Sequence, residues 1–308
     1  MSTSLLLIQC LNGLQYGILL FLIAAGLTLV FGVMGFINLA HGVQYMVGAY
    51  LTFAFAGLTG SFWLGLVLAL GAALLFGLLL EWAVFRHLYD RPHLDQVLAT
   101  FGIIIFLNEA VQTLFGPTTL TLAPPDILSG SIQLTDTLRY PVYRLASIAV
   151  GLAVAALLWF LVTQTRAGML VRAGATHPDT VRALGVDIRR LFMLVFGFGA
   201  MLAGLAGGIA APVFAVQPGM GDNLLIVAFV VIIIGGIGSI RGAFVAAILI
   251  GLIDTLGRSV VTDLLRLVAD SSAASQIGPA VASMLIYILM AAILFFRPEG
   301  LFPAAGAR

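Results

Sequence analysis

From Met1 to Leu80 the chain carries no Asp, Glu, Lys or Arg. No soluble fold can cover its surface over that length without charge. The stretch leaves room for about three membrane crossings, since a helix needs roughly 20 apolar residues to span the hydrocarbon. The rest of the chain agrees: 61% of its 308 residues are hydrophobic and only 9% charged, against about 25% charged in soluble domains. A soluble enzyme or a nucleic-acid binder is thereby excluded, and a net charge of +1 offers no surface that could track phosphates. Cys10 is the only cysteine, which rules out a disulfide framework and a Cys-rich zinc site. The missing early basic residue argues against a cleavable signal peptide.

The breaks in the first 80 residues fall at Gly32 to Gly42 and Gly57 to Gly60. Further spans are expected at Leu94 to Phe115, Leu145 to Thr165, Leu191 to Gly221, Asn223 to Ile240, Gly242 to about Thr262, and Ser271 to Phe296. Gly116 to Tyr140, with Pro117, Pro124 and Pro125, reads as a loop. The expectation is an all-α polytopic bundle of eight or nine transmembrane helices, eight if one early segment is re-entrant. Residues 1–308 then form a single transmembrane domain, interrupted by the polar segment 166–190. Barrel strands would need strict alternation, which Leu64 to Leu80 lacks. All 14 basic residues are arginines, and their distribution puts segment 166–190 and the C-terminus in the cytoplasm. Gly13/Gly17, Gly204/Gly208 and Gly238/Gly242 are small-xxx-small pairs suited to close helix packing.

Three stretches carry more than packing. Within Phe31 to Tyr50, Asn38, His41, Gln44 and Tyr45 interrupt an apolar run among glycines at 32, 35, 42 and 48. Polar groups at membrane depth mark a solute path or an interhelical hydrogen bond. In segment 166–190, Thr176 suits an N-cap, Pro178 and Asp179 a first turn, and Gly185 a left-handed stop. That makes a helix of about two turns, with Val181 and Leu184 on one edge, suited to docking or simply a retained cytoplasmic loop. Gly235 to Gly242 is glycine-rich but lacks the lysine of a phosphate loop, so it reads as a tight turn.

Asn108 and Glu109 lie mid-span, and the carboxylate needs protein or a cavity around it. Asp254 and Arg258 are spaced for a local ion pair. His87, His93 and His177 have no metal-ligand spacing, so no metal site is expected, and no catalytic motif is found. The residue-level candidates for a substrate path are therefore Asn38, His41, Gln44, Tyr45, Asn108 and Glu109.

Asn38-Leu39-Ala40-His41-Gly42, followed by Tyr45 to Tyr50, resembles the N-x-A-H-G-x-x-x-M-x-G-A-Y stretch of LivH-type permeases. These are membrane subunits of branched-chain amino acid ABC importers. The likeness continues through Arg182 to Asp187, Gly199 to Gly208, and Gly235 to Gly242, in order along nearly the whole chain. It implies a bacterial inner-membrane permease subunit, not itself an enzyme, that translocates branched-chain or related small amino acids. It implies two ABC ATPase subunits, a second homologous permease and an extracytoplasmic binding protein as partners. No cofactor is expected in this chain, ATP and Mg belonging to the ATPase. Thr176, Pro178, Asp179, Val181, Leu184 and Gly185 become an ATPase-coupling helix. One departure is Gln44, where the family commonly has Glu. Permeases for urea and short amides are closely similar, which leaves those solutes as an alternative. A self-sufficient secondary transporter or channel is a further alternative, with only Glu109 and Asp254 available as coupling carboxylates.

Overall fold

A computed structural model describes residues 3–135, 138–267 and 270–303. Its helices are α1 (Thr3–Met34), α2 (His41–Thr59), α3 (Phe62–Ala83), α4 (His93–Phe115), α5 (Val142–Gln164), α6 (Arg166–Thr176), α7 (Pro178–Ala183), α8 (Ile188–Ala210), α9 (Asp222–Gly235), α10 (Ile240–Leu265) and α11 (Ser271–Phe296). Seven of them, α1, α3, α4, α5, α8, α10 and α11, are long and apolar enough to cross a membrane. That makes the chain a multi-pass, helical membrane protein. The number falls short of the eight or nine expected because of α2 and α9. The polar residues of α2 dilute its apolar content, and α9 has only 14 residues. The loop 116–140 also holds a small antiparallel ribbon, β1 (Ser131–Thr135) and β2 (Leu138–Pro141), so the chain is not wholly helical.

The packing fixes the helix directions. Asn12 of α1 accepts hydrogen bonds from Tyr140 Oη (3.1 Å) and Arg144 Nη1 (2.7 Å), just before and within the first turn of α5. Six residues further along α1, Ile18 packs on Gly151, so α1 and α5 run parallel. Gly13 meets Gly251 and Gly17 meets Ala247, so α1 and α10 run antiparallel. A Cβ at Gly17 would lie 2.8 Å from the Ala247 carbonyl oxygen, which is why this small-xxx-small pair tolerates no side chain. The ends of α1 and α5 and the start of α10 therefore lie at one end of the bundle, with segment 166–190. The ribbon and the end of α8 lie at the other, where Tyr143 Oη donates to the Ile209 carbonyl (2.8 Å).

Helix starts follow local chemistry. Asp187 and Ser239 accept from the amides of Arg190 and Gly242, capping α8 and α10. The span expected at Leu191 to Gly221 is helical only to Ala210. Beyond it, Val216 pairs with Leu120 through two backbone hydrogen bonds, and the chain turns back into the bundle before α9.

Candidate functional site

Gly35, at φ +62°, turns the chain out of α1, and residues 35–40 run non-helically back along it. Phe36 is held between the rings of Phe85 (5.2 Å) and Tyr89 (5.8 Å). Gln96, buried at the start of α4, donates to the carbonyls of Leu88 and Arg91 (3.2 Å each). Its Oε1 faces the Ile37 amide at 3.5 Å. Tyr89 donates to Glu81 Oε1 (3.0 Å), and Arg86 pairs with the other oxygen of this buried carboxylate.

His41 then begins α2. Its Nε2 lies 3.0 Å from the carbonyl of Ile23. Ile23 precedes the end of α1 by 11 residues, or about 16 Å of helix rise. So α2 begins deep inside the bundle rather than at its face. The other broken element meets it there. Gly42 packs backbone to backbone on Gly221, and a Cβ at Gly42 would lie 2.5 Å from the Gly221 carbonyl oxygen. Asp222 follows and opens α9. Two helix N-termini thus adjoin at mid-depth, each reached by an irregular segment lodged in protein, the placement that backbone groups within a bilayer require.

Beside this junction lies a cavity of about 400 Å³ between α1, α2 and residues 214–224, lined by Tyr16, Ile23, Tyr45, Phe214, Met220 and Leu224 among others. Asn38, His41, Gln44 and Tyr45 are all buried, and of these only Tyr45 lines the cavity. Both amide atoms of Asn38, both of Gln44 and Nδ1 of His41 lack a well-formed hydrogen bond among the described residues, although the Gln44 amide lies beside the His41 ring. Buried polar groups are normally paired, so this cluster is provided with more donors and acceptors than its protein surroundings use. Asn108 joins the same region: its Oδ1 accepts from the Gly219 amide (3.0 Å) and anchors the segment leading to α9. Glu109 does not join it. Expected to face protein or a cavity, it lies exposed on the outer face of α4, one residue round the helix from Asn108.

The 166–190 segment differs in detail from its expected form. Thr176 is not an N-cap; it ends α6, and its hydroxyl donates back to the carbonyls of Arg172 and Ala173. His177 precedes α7, with Pro178 in its first turn. Asp179 pairs with Arg182 at 3.2 Å, and Gly185 takes φ +87° as the stop. Val181 and Leu184 do not share an edge: Val181 is buried against its own chain, whereas Leu184 is 78% exposed.

Sequence reasoning passed over Glu81, Gln96, Gln15 and Arg144. Glu81 and Gln96 sit at helix ends, where polar residues attract no notice. Asn12, Gln15 and Tyr16 share a helix face by their i, i+3 and i, i+4 spacing, a signal that was available.

A model of the family described as branched-chain amino acid transport system / permease component matches residues 9–294. The chain is 30% identical to the high-affinity branched-chain amino acid transport system permease protein BraD of Pseudomonas aeruginosa, over 95% of this chain and 94% of that protein. It is likewise 30% identical to the permease protein LivH of Escherichia coli, over 80% of this chain and 84% of LivH. A probable branched-chain amino acid transport permease of Methanocaldococcus jannaschii is 25% identical over 78% of each chain. No solved structure matches. A family match across nearly every helix, with the N-x-A-H-G stretch at the head of the broken α2, leaves one conclusion: the chain belongs to the permease components of branched-chain amino acid ABC importers.

Proposed function

We propose that this chain is the inner-membrane subunit through which an ATP-driven importer moves branched-chain or related small amino acids. It would work with a second homologous permease, two ATPase subunits holding ATP and Mg, and an extracytoplasmic binding protein. The observation that carries the reading is the Gly42–Gly221 junction, where α2 and α9 begin at mid-depth beside the cavity bearing Tyr45. Discontinuous helices whose N-termini meet inside the membrane are a recurrent design for solute passage.

In this reading residues 35–40 complete a crossing with α2, and residues 211–221 complete one with α9. Added to the seven long helices, they make nine crossings in a single transmembrane domain. Segment 166–190 is cytoplasmic, and α1 begins on the outer side. Leu184, Asp179 and Arg182, exposed on and just beyond α7, are the groups offered to an ATPase, with Gly185 and Pro178 delimiting the helix. Val181 anchors that helix from below. Asn38, His41, Gln44 and Tyr45 border the path, and Asn108 fixes its outer segment.

The test is uptake of labelled leucine into vesicles holding the complete system. Uptake should require both the binding protein and hydrolysis-competent ATPases. Uptake that persists with an inactive ATPase would establish a secondary transporter instead, and uptake of urea without leucine would move the chain to the amide importers.

A further inference from the structure

On the outer half of α1 a second cavity, of about 350 Å³, adjoins the one described above. The two share Tyr16 and Phe214 as a common wall. Both are largely apolar, but charged side chains line only the second. The first is lined by Leu19, Ile23, Tyr45 and Leu224 together with the uncharged polar Gln217 and Asn223. The second is lined by Asn12, Gln15, Arg144, Asp254 and Arg258.

The charges of the second cavity do not cancel. Arg258 grips Asp254 through two hydrogen bonds of 2.9 and 2.8 Å and also donates to Ser283, so that pair is neutral as a unit. Arg144 has only neutral partners, the Asn12 side-chain oxygen at 2.7 Å and the neighbouring Tyr140 hydroxyl. No carboxylate lies within ion-pairing distance of it among the described residues. A guanidinium offers five N–H groups in a planar fork. One turn along α1 from Asn12, Gln15 is buried, lines the same cavity, and its Nε2 has no partner among the described residues. A fixed cation thus lines this space, with an unused donor buried in the wall beside it. That combination suits a carboxylate, for which the guanidinium fork is the best matched side chain.

We infer that the Arg144–Gln15 cavity is a carboxylate site for the transported solute. The solute's carboxylate meets Arg144, a turn of the Gln15 amide brings Nε2 to the same group, and the ammonium faces the Asp254 side. Its aliphatic side chain passes between Tyr16 and Phe214 into the apolar cavity beside Tyr45. An amphipathic pair of cavities of this kind favours an apolar α-amino acid over urea, which has neither a charge for Arg144 nor a side chain for the second cavity. The inference rests on the amino-acid importer reading for the identity of the solute, but the carboxylate site itself can be tested separately.

The test uses the complete permease pair with its ATPases in nanodiscs, without the binding protein. Direct binding of L-leucine and of 4-methylpentanoate, which lacks the ammonium, is measured by saturation-transfer NMR. Arg144→Gln should weaken both by about tenfold or more, the loss expected for a charged hydrogen-bonding partner. Gln15→Leu should weaken both to a smaller extent, and Arg144→Lys should recover part of the binding. Arg139→Gln, on the exposed face of the neighbouring ribbon, should change neither. Assembly with the ATPases checks that each variant is folded. Parental binding of both probes by Arg144→Gln overturns the carboxylate site, and so does a parent that binds neither probe or an equal loss of both in Arg139→Gln. If the parent binds 4-methylpentanoate in an Arg144-dependent manner but imports no leucine, the site stands and the importer reading falls.

Discussion

Asn108 of α4 and Gly219, three residues before α9, are joined by a 3.0 Å hydrogen bond from the glycine amide to the asparagine oxygen. A single side chain thereby holds an irregular backbone segment that has no helix of its own. Asn108→Leu removes the acceptor and leaves that amide unpaired, a cost of about 1–3 kcal/mol. The variant should insert normally, melt at lower temperature and transport more slowly. Asn108→Gln keeps an amide acceptor without setting a second carboxylate beside Asp222 and should retain more of both. Thermal melting in detergent alongside uptake decides it, and equal behaviour of the two variants would show the bond to be incidental.

Gly42→Ala brings a methyl group to 2.5 Å from the Gly221 carbonyl oxygen and 2.8 Å from Leu225 Cβ. The backbones must separate, at about 1–3 kcal/mol for such overpacking, and the junction of α2 with α9 opens. Transport should be lost at near-normal expression. Gly57→Ala in the same helix meets open space and should be silent.

Leu184 and Val181 should respond differently to the same change. Leu184→Asp alters an exposed side chain and should leave stability unchanged while abolishing co-purification of the ATPases and transport. Val181→Asp places a carboxylate in a buried position and should destabilise the segment itself, by several kcal/mol if the charge stays unpaired. Wild-type ATPase association in Leu184→Asp would retire α7 as the coupling contact.

His41→Leu removes the contact with the Ile23 carbonyl while suiting the membrane better, so expression should hold and uptake should slow. Gln44→Glu adds a charge to the buried polar cluster and should alter which solutes are carried, or how fast. If both variants carry solute as the parent does, the cluster serves packing alone.

With Cys10 replaced, a cysteine at exposed Thr176 should label only from the cytoplasm, and one at exposed Ser129 only from outside. Labelling of both from one side would contradict the nine-crossing arrangement.

The amino-acid sequence by itself determined the membrane class, most of the long spans and the ion pair of Asp254 with Arg258. Ser271 to Phe296 was delimited to the residue, because each of these is written in local runs: apolar length, i, i+4 spacing, glycine next to glycine. The N-x-A-H-G stretch also declared the family. The tertiary structure alone decided that α2 starts at mid-depth, since this depends on which carbonyl of α1 His41 reaches and on a glycine 179 positions away in the chain. It alone turned Glu109 outward, buried Val181 and set Leu184 free, because a helical face says nothing of its neighbour until the neighbour is placed. The pairing of Asn12 with Arg144, 132 residues apart, is of the same kind: two polar residues unremarkable in their own helices become a site only when packing sets one beside the other.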